Sequence, residues 1–278
     1  MNLIAWFSPD ADDRFMTWAI RQDRIDAEGL AFDLRTAPTD VLNEIALRGE
    51  ADVCAVSFGM WPKLAERWLI LPHGGSLGEG YGPLVITPGP ARLGDLAGKR
   101  IAVPGTTTTA WLVLRLIAPD LEPVVIPIVP YARIFDALRS GEVDAGLVIH
   151  EGRLTYAAQG FHAVVDLGAW WATETGGLPL PLGANVIRAD LDPEVRARAS
   201  RVLRRSIRYG LDHVDEAIAD LLREGCALDT PQALKTYLGM YANERTFDYG
   251  EAGVLAVSEL FRRAADLTGA EPEIRWAE

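Results

Sequence analysis

Residues 141–156 read GEVDAGLVIHEGRLTY, and the fold class follows from how this stretch is parsed. Positions 145–149 form a continuous small and apolar run of strand length, too short for a helix of its own. Upstream, residues 131–139 place Ile134, Ala137 and Leu138 at helical spacing, and Ser140-Gly141 closes that helix. The pattern is helix, turn, short buried strand, and then His150 where the strand runs out. In open α/β sheets, ligands bind at that edge.

The same phrase occurs earlier. Gly49-Glu50-Ala51-Asp52-Val53-Cys54-Ala55-Val56 follows the helical run 41–48 as Gly141-Glu142-Val143-Asp144-Ala145-Gly146-Leu147-Val148 follows its own. The offset is constant (141 − 49 = 92; 144 − 52 = 92). Ser57 and Phe58 take the strand end that Ile149 and His150 take in the second copy. Two copies at so long a period point to two similar lobes rather than a solenoid. Strand ends of two facing α/β lobes line a cleft, with Ser57 on one wall and His150 on the other.

With 278 residues the chain has room for two cores. Its net charge of −12 comes without a Lys/Arg run or a basic stripe mixed with aromatics. Nucleic acid and anionic membrane surfaces are therefore not expected partners. Cys54 and Cys226 lie far apart in apolar or helical contexts and read as free thiols, and no metal-ligand spacing occurs. No stretch approaches the ~18 uninterrupted apolar residues of a membrane span. The start, MNLIAWFSPDADDRF, lacks a basic region and meets acids at once, so it is not a signal peptide and a cytoplasmic protein is expected.

Strands are expected at 3–7, 32–35, 53–57, 84–87, 100–103 and 124–128, and residues 60–68 read as helical. Asp12 and Asp13 stand where acids favour a helix dipole, and Thr39 where a residue caps a helix. The glycine-rich run 72–83 lacks a phosphate-loop or dinucleotide pattern and reads as a loop passing close to a ligand, with His73 a loop histidine. After the strand 100–103, Pro104-Gly105 and four threonines, Thr106 to Thr109, open a helix over 110–117. One threonine suffices as a cap, so the row suggests a carboxylate site at the helix N-terminus. Pro88-Gly89-Pro90 and the Gly/Pro passage 176–183 bracket a central segment. Residues 1–88 and 184–278 then form lobe I and 89–183 lobe II, with hinge crossings near 87–91 and 177–184.

Taken together, SPDADDRF, PHGGSLGEGYGPLV, VPGTTTTAWL, GEVDAGLVIHEGRLTY, DLGAWWATETGGLPLPLGA and YANERTFDYGEAG resemble the 1,4-dihydroxy-6-naphthoate synthase family of menaquinone biosynthesis (futalosine pathway). The resemblance covers essentially the whole chain. It implies a two-lobed α/β architecture like the type II periplasmic binding proteins. It also implies a lyase that converts cyclic dehypoxanthinyl futalosine to 1,4-dihydroxy-6-naphthoate without metal, flavin or nucleotide cofactor. His150 matches the family's proton acceptor. Ala55, Val56 and Ser57 match one substrate-binding patch, and Thr108 with Thr109 the other. Departures fall at Asp10-Ala11-Asp12-Asp13-Arg14, where the family usually has Cys-Pro-Asn-Asp-Thr, and at Ala55, where it usually has lysine; Ser76 and Asn185 are also atypical. Asp13 is the acid that is kept, and Arg14 is expected to bring a positive charge to the substrate in place of that lysine. Two other readings fit the same architecture: a non-catalytic binder of a small carboxylate, and a related enzyme acting on a neighbouring substrate such as chorismate.

Overall fold

A computed structural model describes residues 1–127 and 132–277. The chain lays down β1 (Asn2–Phe7), β2 (Ala31–Thr36), β3 (Val53–Ser57), β4 (Trp68–Ile70) and β5 (Ser76–Gly78). It continues with β6 (Leu84–Thr87), β7 (Arg100–Val103), β8 (Glu122–Val125), β9 (Ala145–Val148) and β10 (His162–Asp166), and ends its strands with β11 (Leu180–Arg188). Two sheets result. One is ordered β2-β1-β3-β11-β4 with β5 also on β11; the other is β10-β6-β9-β7-β8. The last residue of the expected strand 124–128 and the first of the expected helix 131–139 lie outside the described residues; the helix is described as Ala132–Ser140.

The two copies of the repeat fold alike. Gly49 and Gly141 each end a helix with φ of 73°, a left-handed turn that a β-carbon would strain. Three residues on, Asp52 exchanges two bonds with Ile4: its N–H donates to the Ile4 carbonyl (2.8 Å) and its carboxylate accepts from the Ile4 N–H (2.9 Å). Asp144 does the same with Arg100 (2.9 and 3.0 Å). The acid thus locks the incoming strand beside its parallel neighbour, β3 on β1 in one sheet and β9 on β7 in the other. In both sheets the repeat strand then has an antiparallel strand on its far side, β11 or β6.

Apolar burial joins these parts. One hydrophobic cluster runs from Leu3, Val53, Trp68 and Phe261 to Val85, Ile101, Val103 and Leu147, so one face of each sheet shares a core. The other face of the second sheet packs on the helix Ala132–Ser140 through Ile86, Ile134, Leu138 and Val148. Gly146 makes that approach possible, since a β-carbon there would sit 3.0 Å from Ile134 and 3.1 Å from Leu138. Among the described residues no helix is long and apolar enough to cross a membrane.

Several expectations need correction. The first passage between sheets lies between β5 and β6, ahead of the expected 87–91. Leu84 already pairs with Val148 of the second sheet, so residues 84–88 do not belong with lobe I. Pro88 stops a strand because it lacks an N–H, but a stopped strand is not a change of sheet. On the return, Leu180 is already paired with Gly78 of the first sheet. Residues 60–68 are not one helix. A turn of 3-10 helix (Phe58–Met60) and a short helix (Trp61–Leu64) give way to β4, where Trp68 is buried and donates its indole N–H to the Ala46 carbonyl (3.1 Å). Thr39 is the first helical residue rather than the cap, which is Pro38. The glycines of 72–83 mostly admit protein rather than ligand: a β-carbon on Gly75 would lie 2.2 Å from Tyr249, and one on Gly78 1.9 Å from the Tyr81 carbonyl. His73 is fully buried against the Ser200 hydroxyl (3.0 Å). Burial pushes its pKa down to about 3, so it stays neutral and structural.

Candidate active site

The ends of β1 and β3, the turn before the helix Thr109–Ile117, and the turn after β9 enclose a cavity of about 770 Å³ of atom-free space, partly open to solvent. Ala55, Val56, Ser57, Asp13, Thr108, Thr109 and His150 all line it. Arg14 does not. Its guanidinium donates to Glu224 (2.8 Å) and to the Gly225 carbonyl (2.5 Å) and borders a separate hollow. Asp13 and Arg14 are neighbours on the helix Ala11–Met16, and a step of about 100° turns one inward and the other away. The expected contribution of Arg14 to substrate binding is therefore withdrawn. Arg14→Ala should leave the substrate KM within about twofold, since surface ion pairs of this kind contribute little beyond their own neighbourhood; a tenfold rise in steady-state KM would contradict this placement.

His150 sits two residues past the last pair of β9 with a φ of 47°. A side-chain-bearing residue in that conformation stores strain, of order 1–3 kcal/mol, and is held by its surroundings. Its Nδ1 lies 3.2 Å from the Tyr237 hydroxyl and 3.5 Å from Asp10 Oδ2. The Tyr237 hydroxyl lies 3.0 Å from Asp12 Oδ1, and the Ser76 hydroxyl donates to the other Asp12 oxygen at 3.3 Å. Asp10 accepts from the Ser8 hydroxyl, and Asp13 from the Ser8 N–H. Three carboxyl groups and an imidazole thus cluster where Asp12, Asp13 and His150 line the cavity.

Their protonation follows from that crowding. Burial raises the Asp12 pKa, against the opposing pull of His150. Burial, reinforced by the Asp12 charge, holds Asp13 well above the usual carboxylate range. For His150, burial pushes the pKa down, but Asp10, Asp12, Glu151 and Asp13 together outweigh it and the net direction is up.

Another part of the lining is built from hydroxyls and backbone. Thr108 caps the helix Thr109–Ile117, accepting from the Trp111 N–H (3.2 Å) and donating to the Gly105 carbonyl (2.9 Å). Thr109 donates to the Leu182 carbonyl (2.6 Å) and accepts from the Gly59 N–H (3.0 Å). Both hydroxyls thus have partners within the protein. The row brings to the cavity a helix N-terminus, with its positive dipole end. Beneath it the fully buried Asn43 accepts from the Ser57 N–H (2.9 Å) and reaches Thr107 Oγ1 (3.0 Å), tying β3 to that turn.

The family model for menaquinone biosynthesis matches residues 7–266. The chain is 39% identical over 262 residues to a 1,4-dihydroxy-6-naphthoate synthase of Streptomyces coelicolor, covering 93% of this chain and 91% of that one. It belongs to the menaquinone-biosynthesis family. A crystal structure of an Archaeoglobus fulgidus protein superposes with a TM-score of 0.89 at 38% identity, covering 96% of this chain and 98% of that one. A Candida albicans gene product described as having the generic periplasmic binding protein fold superposes at 0.67 and 12% identity over 100% and 98% of the two chains. The architecture of this menaquinone-biosynthesis family member is thus the two-lobed, periplasmic-binding-protein-like α/β fold.

Some residues in and around the family member's cavity were not singled out by its sequence. Asp10 and Asp12 stand in a run that reads as helix-capping acid, yet Asp10, at the N-cap, makes no side-chain capping bond and both carboxylates are buried. Asn43 was missed although a signal was present: it is a polar residue on the same helix face as Leu42, Ile45 and Ala46, and a polar group there needs buried partners. Tyr237 carried no signal, being 87 residues from His150 in the chain. No metal was expected, but Asp10, Asp12 and His150 offer donor atoms within 4.8 Å of one another, a set that suits a small divalent cation. A cation there would compete with Tyr237 for both Asp12 and the imidazole.

Proposed function

We propose that this chain converts cyclic dehypoxanthinyl futalosine into 1,4-dihydroxy-6-naphthoate as a carbon–carbon lyase, with His150 as the proton acceptor. The observation that carries this reading is that one imidazole and a helix N-terminus line the same cavity. A substrate carboxylate is drawn to the start of the helix Thr109–Ile117 rather than to the cluster of acids around His150. An imidazole that is neutral near its working pH can take a proton from the substrate and hand it on. The new aromatic ring then makes departure of the sugar-derived fragment downhill. The naphthoate synthase relative of Streptomyces coelicolor supports the product.

Incubating the purified protein with cyclic dehypoxanthinyl futalosine and following naphthoate by chromatography tests the proposal. Product formation at a catalytic rate is expected. Tight binding without turnover would instead make the chain a small-carboxylate binding protein, and consumption of chorismate alone would assign it to a neighbouring reaction.

A further inference from the structure

We propose that Tyr237 is a positioning residue for His150. Its hydroxyl proton is committed to Asp12, so its oxygen holds the proton of the neutral imidazole on Nδ1 and leaves Nε2 as the basic nitrogen for the cavity. This rests on the reading of His150 as the base.

The inference follows from counting protons. A tyrosine hydroxyl has one proton to donate. Asp12 Oδ1, at 3.0 Å, is the acceptor for it. The same oxygen lies 3.2 Å from His150 Nδ1, where it then presents a lone pair. Asp10 Oδ2, already accepting from the Ser8 hydroxyl, faces the same nitrogen at 3.5 Å. With an oxygen acceptor on either side, Nδ1 carries the hydrogen. Among the described residues, the groups facing the ring are Asp10, Asp12 and Asp13 from the turn and helix after β1, Glu151 from its own turn, and Tyr237 from the helix Pro231–Tyr241. Of these only Tyr237 is not a carboxyl group, so it can bond to the ring without adding another acid to that cluster.

Tyr237 is also held in place. It is fully buried, its ring centroid lies 4.9 Å from that of Tyr241, and its helix is started by Thr230, whose hydroxyl accepts from the Ala233 N–H (3.2 Å). A rigid phenol and a histidine in a left-handed backbone conformation leave the imidazole little freedom to flip. The competing arrangement has Asp12 protonated, the hydroxyl turned toward Nδ1, and the ring proton on Nε2. It would aim a donor rather than a base at the substrate.

Nitrogen NMR on the full-length protein with labelled histidines distinguishes the two, with His150 assigned from a His150→Gln spectrum. Above the histidine titration the unliganded protein is expected to show the Nδ1–H tautomer. Tyr237→Phe should lose that preference and lower kcat roughly ten- to hundredfold, the usual effect of removing a group that orients a functional histidine, with KM within about twofold. Asp12→Asn keeps an acceptor for the hydroxyl and should keep the tautomer, whereas Asp12→Ala should shift the proton toward Nε2. An Nε2–H ring in the unaltered protein, or an unchanged Nδ1–H ring in both Tyr237→Phe and Asp12→Ala, overturns the proposal. Loss of the proposed turnover in the unaltered protein, with the tautomer pattern intact, would instead remove the reaction and leave the positioning role standing.

Discussion

Replacing His150 by alanine is expected to lower kcat by about 10²- to 10⁴-fold, the range that a positioned general base contributes. KM should change little, because the helix N-terminus and Ser57, which also line the cavity, are untouched. The pH profile of the unaltered enzyme should carry the signature of the same residue. The proposed base works only when neutral, so kcat/KM should fall as pH drops through the His150 pKa. Since the surrounding acids outweigh burial and raise that pKa, the acid limb should lie above the ordinary histidine value of 6.5. Asp12→Asn removes one of those charges and should move the limb to lower pH. A His150→Ala enzyme turning over at the full rate, or an acid limb below 6.5, would assign the proton transfer to another group.

Asn43→Ala should cost about 3 kcal/mol of stability and raise KM severalfold. The side chain is fully buried and serves both lobes: it accepts from the Ser57 N–H (2.9 Å) and donates to Thr107 Oγ1 (3.0 Å). Truncation leaves the Ser57 N–H buried without an acceptor, worth roughly 1–3 kcal/mol, and forfeits about 1 kcal/mol more for the second bond. For a chain of this size that corresponds to a fall in Tm of about 6–12 °C. Ser57 and the turn before the helix Thr109–Ile117 would lose their common brace, which is why binding should weaken as well. Thermal unfolding and steady-state kinetics on one preparation check both effects; an unchanged Tm would mean that water replaces the amide without loss.

Asn43 and His150 also mark how far local pattern reaches. The GE-x-D phrase at 49–52 and 141–144 was readable because its causes are local: a left-handed glycine after a helix, and an acid that locks the next strand beside its neighbour. Once those two units were found, the rule that ligands bind past strand ends placed Ser57 and His150 on the cavity without tertiary information. The threonine row was likewise visible, although its hydroxyls turned out to bond to Gly105 and Leu182 within the fold.

Sequence alone therefore determined the two-lobed α/β plan and the two walls, because helix ends, turns and buried strands are set by residues within a few positions of one another. Only the tertiary structure decided the chemistry at the wall. Asp12 and Tyr237 meet across 225 residues, and Asp10 and His150 come from different elements. Whether an acid such as Asp12 caps a helix, or Arg14 faces a substrate, depends on which side of a short helix the rest of the chain covers. The same holds for residues 84–88, whose sheet is chosen by pairing with β9 rather than by the prolines that end the strand. Hydrogen bonds and burial between distant segments leave no period in the sequence, so the imidazole was legible while the groups that set its proton were not.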